Sequence, residues 1–441
     1  MSKSAEPKER LHYLDWLRAL VIFAAFVGHV ALPFSGGRWV ISSDQFVPIA
    51  AVVVGVGGQF VIPTLFLISG AALTFSLGTR SVGRFINERV QRLLIPYAVG
   101  VVLLSTVQAY FSALNRGIFQ GGFHHYLPQF FSLSRIDRLD LSWIGIYGYH
   151  LWFLGYLFVF SLLMLPFHAL WRGERGSRLN ERIVRLCKLR GGVLLLGLPF
   201  GLLRATLGLF FGEYQSWADS AIWLLFMLYG YILFKEPRLQ RALWRDAKLI
   251  GRMVVLSLIG LLLIAAALLF GARGDLSLET IVALRGLPLA YVLSMLLVGL
   301  NSWALVLYLL CLGKRWLNRD NAIWRYLNEV SLPFYLLHHP IVVVLAYYIL
   351  QVRTSSTTQF ILLFVSSLIL TLGTFHLLVQ NNGLLRRLMG IRTVQIVVRE
   401  RRLHAFRVVF LIALSIFVVL LHTGIQRTAE RTSEVTILSS E

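Results

Sequence analysis

The sequence predicts an all-α integral membrane protein, a bundle of ten to eleven transmembrane helices with its N-terminus in the cytoplasm. Three observations predict it. First, the 441 residues are 57% hydrophobic and only 14% charged, with a mean hydropathy of +0.71. Soluble chains carry roughly 25% charge. The polar residues are too few to cover the three or so soluble domains that this length suggests, and the chain is too apolar to be disordered or fibrous. Second, eleven runs of about 20 mostly apolar residues recur, the length a helix needs to cross the hydrocarbon core. Third, the 42 Lys and Arg outnumber the 21 Asp and Glu, giving a net charge of +21, and they are unevenly placed. With the N-terminus inside, thirty-one fall in inner segments, nine in outer segments, and Arg18 and Arg204 within spans. This is the positive-inside pattern. It accounts for the charge without nucleic acid and makes the lipid bilayer the surrounding phase.

The first run, 13–34, is not a cleaved signal peptide, because Arg18 interrupts it and no small-residue cleavage site follows. The second, 50–77, is long and contains Pro63, so it reads as a surface segment leading into a shorter span. Further runs lie at 93–112, 149–171, 193–211, 218–234, 249–271, 286–313, 331–351, 359–380 and 405–423. Residues 1–12 then form a cytoplasmic lead, 13–380 the main transmembrane domain of about ten spans, and 381–404 a basic inner loop. Residues 405–423 form an extra helix and 424–441 a polar tail. The longest outer segment, 113–148, carries His124, His125, Trp143 and Tyr147, which suit an interfacial aromatic belt or contacts to sugar. Cys187 and Cys311 lie too far apart in sequence for a zinc motif or a disulfide framework, and no metal site is expected. The two halves share no repeat and no matched pair of broken helices, features a transporter would be expected to show.

Ionisable residues inside a membrane are costly and default to functional hypotheses. Arg18 and His29 are eleven residues apart, three helical turns plus about 20°, so they share one face at a separation of about 16 Å. Arg18 near the inner interface reads as a snorkelling arginine paired to Asp15, or as a functional cation. His29, in the outer half, reads as a histidine satisfied by a neighbouring helix, or as a base. Arg204 sits near the middle of its span, where it needs backbone carbonyls or an anionic group in a polar chamber. Pro340 frees a carbonyl on the preceding turn, which His338 or Tyr335 would help surround. His339 points elsewhere, toward packing or solvent.

Leu14-Asp15-Trp16-Leu17-Arg18 with His29 eleven residues on resembles the opening of the acyltransferase 3 family, whose signature is an arginine, ten residues, then a histidine. Phe66-Leu67-Ile68-Ser69-Gly70 is similar to the family's Phe-x-x-Ser-Gly. Arg89-Val-Gln-Arg92, before Pro96, resembles its Arg-x-x-Arg loop. His150-Leu-Trp152-Phe153-Leu154 is similar to the branch that modifies glucans, and Tyr335-Leu-Leu-His338-His339-Pro340 resembles the family. The resemblance covers roughly residues 10–380 and implies a membrane O-acyltransferase in a bacterial inner membrane. The reaction it implies moves a succinyl or acetyl group from cytoplasmic acyl-CoA to a hydroxyl of an extracytoplasmic oligo- or polysaccharide. Acyl-CoA is then a co-substrate, no cofactor is tightly bound, and a homo-oligomer is compatible with the sequence.

On that resemblance His29 and Arg18 are catalytic, and Arg89, Arg92, Arg18 and Ser69 receive the donor. His150, Trp152, Tyr335 and His338 receive acceptor or acyl group; Arg204 belongs to no motif, and its mid-span position alone suggests pairing with an anionic acyl group. Each has a plainer reading. Arg89 and Arg92 fit simple positive-inside topology, although paired guanidinium forks also suit phosphate. Ser69-Gly70 fits a small-residue helix contact or room for a pantetheine arm. His150 and Trp152 fit an interfacial belt. A sugar hydroxyl is a weak nucleophile, and a histidine is a suitable general base for it. An acyl-histidine intermediate is the other route. A glycan or lipid exporter without acyl transfer, or a membrane scaffold, are the rival classes.

Overall fold

The computed structural model describes residues 11–37, 39–132, 141–271 and 288–391. Besides a short helix at Phe123–Phe130, the helices are α1 (His12–Ala31), α2 (Pro48–Leu77), α3 (Val82–Asn115), α4 (Ser142–Arg172), α5 (Glu174–Lys188), α6 (Gly192–Phe210) and α7 (Trp217–Lys235). They continue as α8 (Pro237–Arg245), α9 (Ala247–Gly271), α10 (Pro288–Trp316), α11 (Ala322–Ile349), α12 (Ser356–Val379) and α13 (Gly383–Leu388). Among the described residues, nine helices are long and apolar enough to cross a membrane. In addition, α9 occupies the expected span at 249–271. The chain is therefore an all-α multi-pass membrane protein. The expected helix at 405–423 lies outside the described residues.

Residues pack into two units. The first comprises residues up to 21, 58–85 and 160–328, and the second comprises 22–57, 86–159 and 329 onward. In the first unit small residues let backbones touch, as membrane helices require when lipid supplies no hydrophobic drive. A Cβ on Gly70 of α2 would lie 1.9 Å from the Met227 carbonyl oxygen of α7, and one on Gly230 would lie 2.0 Å from that of Leu67. Gly201 of α6 and Gly299 of α10 cross in the same way. Around these crossings Phe200, Phe226 and Trp303 stack, with Phe200 and Phe226 centroids 4.0 Å apart.

The 50–77 run forms one long helix that is apolar enough to span a membrane. α2 runs unbroken for 30 residues through Pro63. A proline removes the N–H that would bond the carbonyl four residues earlier, here that of Gln59, and Ser302 of α10 donates its hydroxyl to that carbonyl at 2.5 Å. The loop residues of this unit are tied by charge. Arg238 pairs with Glu236 and Glu181, and its hydrogen bonds hold the Glu236 carboxyl down to about 2. Arg245 donates to the carbonyls of Cys187, Lys188 and Leu189, covering the open C-terminal end of α5.

In the second unit, Phe26 of α1 packs against Phe334 of α11 and Phe364 of α12, each at 5.4 Å. Gly100 admits Leu151, and the Tyr97 hydroxyl donates to the Ile144 carbonyl. Two π turns, Val90–Leu94 and Val101–Ser105, interrupt α3. Such turns re-aim the side chains beyond them. α4 is broken near its start by Tyr149, whose φ of +50° is unfavourable for any residue but glycine. That turn lies immediately before His150.

Candidate active site

Four imidazoles from three helices meet inside the second unit: His29 of α1, His150 of α4, and His338 and His339 of α11. His338 is 0% and His339 3% exposed. The His29 ring lies edge-on to His339 at 4.4 Å, and His339 stacks parallel on His150 at 4.7 Å. Trp39, in the connection after α1, closes over His29 and meets the His339 ring edge-on at 5.3 Å.

The hydrogen bonds assign the tautomers. Phe334 O, a carbonyl, can only accept, so His338 Nδ1 at 2.8 Å carries the hydrogen. In the neutral ring His338 Nε2 is then an acceptor. Its partner at 2.9 Å is His29 Nδ1, which therefore donates. The Nε2 of His29 is left with its lone pair. A backbone carbonyl thus sets, through two imidazoles, which nitrogen of His29 is basic.

His150 is engaged at both nitrogens. Its Nε2 donates to the Leu336 carbonyl at 3.1 Å, and its Nδ1 accepts from the Gln108 amide at 3.2 Å. Leu336 is four residues before Pro340, so its carbonyl is the one the proline frees. The expectation that His338 or Tyr335 would surround this carbonyl is corrected: His150 fills it from another helix. Tyr335 donates its hydroxyl to the His150 carbonyl instead. Both side chains are buried. Trp152 is also buried and packs edge-on against Tyr156. His339, expected to point away, is a member of the cluster. Consecutive helical residues diverge by about 100°, but imidazoles arriving from α1 and α4 flank α11 widely enough to meet both.

The remaining expected residues lie elsewhere. In the second unit Arg92 stands in the first π turn of α3 and pairs with Glu88 at 3.2 Å, with Arg89 one turn before it. Gly390, at φ +69°, brings the backbone after α13 to the Arg92 carbonyl, and Arg386 of α13 is buried against Glu329 at 3.0 Å. In the first unit Arg18 bonds Asn328 and pairs with Asp15 at 3.2 Å. Ser69 donates to the Leu65 carbonyl at 2.7 Å, and its neighbour Gly70 is a helix contact.

Arg204 pairs with Asp219 of α7 at 2.9 Å. Asp219 supplies the anionic group that a mid-span arginine needs. The signal was present in the sequence, a single acidic residue in the first turn of the following span. Arg204→Met should leave the buried Asp219 without its cation, at a cost of roughly 2 kcal/mol. The thermal midpoint of the purified protein should fall. An unchanged midpoint would detach Arg204 from the packing of α6 and α7.

Among the described residues no group of His, Cys, Asp or Glu is arranged to hold a metal ion. What the cluster offers is a base at His29 Nε2, oriented by His338, in a ring-lined site.

An acyltransferase domain model matches residues 11–376. The chain is similar to the protein called glucans biosynthesis protein C in Shigella dysenteriae serotype 1 (strain Sd197) and in Escherichia coli (strain K12). It is 23% identical to each over 394 residues, covering 84% of this chain and 92% of each relative. No solved structure matches.

Proposed function

This chain belongs to the acyltransferase domain family and is a membrane O-acyltransferase; from that premise we propose that it carries an acyl group, succinyl or acetyl, from cytoplasmic acyl-CoA to a hydroxyl of an extracytoplasmic glucan. The observation that carries this reading is the free lone pair on His29 Nε2, held by the His338 bond. The sugar hydroxyl gives its proton to that nitrogen as its oxygen attacks the thioester carbonyl. The names of the relatives support a glucan acceptor. The Lys and Arg asymmetry supports a cytoplasmic N-terminus, and the resemblance to bacterial relatives supports an inner-membrane location.

In that orientation α3 begins at the cytoplasmic side with Arg89 and Arg92 and reaches the histidine cluster at Gln108. Sixteen residues separate Arg92 from Gln108, about 24 Å at helical rise. The donor's phosphates would dock at the arginines and its arm would run along α3 toward His29. Arg18, whose guanidinium pairs with a carboxylate and an amide, is assigned to holding α1 at the inner interface.

The test is the ester content of periplasmic glucan in cells with and without the protein, resolved into succinyl and acetyl by mass. No difference would reject the acceptor. For the donor, Arg89→Ala combined with Arg92→Ala should raise the acyl-CoA dissociation constant about tenfold or more and flatten its salt dependence, because phosphate pairing is screened by salt. An unchanged constant would assign both arginines to topology.

A further inference from the structure

We infer that His339 is a second catalytic residue, whose ring N–H donates a hydrogen bond to the acyl carbonyl oxygen as negative charge develops on it; the inference rests on the acyl-transfer reading above. The sequence pattern sets His339 aside for packing or solvent, and the proton path through His29 does not use it.

The argument is an inventory of nitrogens. His338 and His150 have both ring nitrogens engaged, and His29 has Nδ1 engaged. His29 Nε2 and the two nitrogens of His339 remain. His339 Nδ1 is enclosed and has no hydrogen-bond partner among the described residues. A neutral imidazole always bears one N–H. On Nδ1 that hydrogen would be a donor with no acceptor; on Nε2, the ring nitrogen that is not enclosed, it stays available to an acceptor that enters the site. Attack on a thioester creates the converse, an oxygen that gains charge and needs a donor. The ring is fixed on three sides. It lies parallel against His150, edge-on to Trp39, and 4.4 Å centroid to centroid from the ring that bears the base.

The step balances as follows. The hydroxyl proton passes to His29 Nε2 while the sugar oxygen forms a bond to the carbonyl carbon. The carbonyl electron pair moves to oxygen, where the His339 N–H meets it. The pair then returns, the carbon–sulfur bond breaks, and sulfur leaves with its electron pair and takes the proton from His29. The products are the sugar ester and free coenzyme A.

The experiment uses the full chain in proteoliposomes with acetyl-CoA, succinyl-CoA and a glucan oligosaccharide, following thiol release and ester formation. His339→Phe keeps the ring stack and removes the donor. Its kcat should fall about a hundredfold, the effect typical of one lost oxyanion donor, with KM for acyl-CoA within about threefold. His339→Gln restores an N–H and should recover at least about tenfold of that loss. Its pH profile should retain the wild-type acid limb, since that limb belongs to His29. Size-exclusion profiles verify folding, and His339→Leu replaces the Phe variant if that one fails to fold. An apolar variant with kcat within about threefold of wild type would overturn the inference alone. So would a Gln variant no better than Phe, which indicates packing, or one lacking the acid limb, which makes His339 the base. Absence of acyl transfer by the wild type would overturn the acyl-transfer reading and this inference with it.

Discussion

Replacing His29 with alanine lowers acyl transfer by at least a hundredfold, while acyl-CoA binding stays near wild type. The base is lost, and general bases supply about that factor or more. The arginines of α3 proposed above to hold the donor are untouched. The measurement is turnover in proteoliposomes beside equilibrium acyl-CoA binding. Retention of more than about a tenth of the activity would remove His29 as base. His29 could instead carry the acyl group on Nε2, and the alanine variant fails in either case. A burst of free thiol from the wild type without acceptor separates the routes, because only an acyl-histidine releases coenzyme A before the sugar arrives. Activity should also fall toward acid pH, since a protonated Nε2 has no lone pair to offer.

Gly70→Val removes the folded protein rather than the activity alone. Its Cβ would sit 1.9 Å from the Met227 carbonyl oxygen, and a backbone atom cannot rotate aside. The crossing of α2 and α7 has to open, at upwards of about 3 kcal/mol. Solubilised protein should be lost from the monodisperse peak on size exclusion. Ser69→Ala removes one hydroxyl bonded within its own helix and should leave that peak unchanged. If Gly70 served only to make room for a pantetheine arm, the valine variant would fold normally and show a raised KM for acyl-CoA.

Spans were legible because each is a long apolar window, and α1 was legible down to its Arg18 and His29. Continuity of α2 through Pro63 was not, because the group that repairs the helix, Ser302, is 243 residues away in sequence. The freed carbonyl before Pro340 was foreseeable from the proline alone. Its partner was not, since His150 reaches it only through the backbone turn at Tyr149. His339 was hidden by the helical period, which separates neighbouring side chains and says nothing about which other helices stand beside them. The partner of Arg204 is not legible from its own span, because Asp219 opens the next one.

The hydrogen-bond chain from His29 through His338 stops at the Phe334 carbonyl, an atom that cannot pass a proton on. The cluster can hold one proton and return it, but it is no conduit. On the reading proposed above, each turnover exchanges a hydrogen for an acyl group across the bilayer, and the histidines move no net charge between the two aqueous phases. Transfer of an acetyl group is then electrically silent. A succinyl group carries its own carboxylate outward, and an inside-negative potential assists it by about 2.3 kcal/mol per 100 mV for a full crossing. The voltage dependence of the reaction is therefore a property of the cargo.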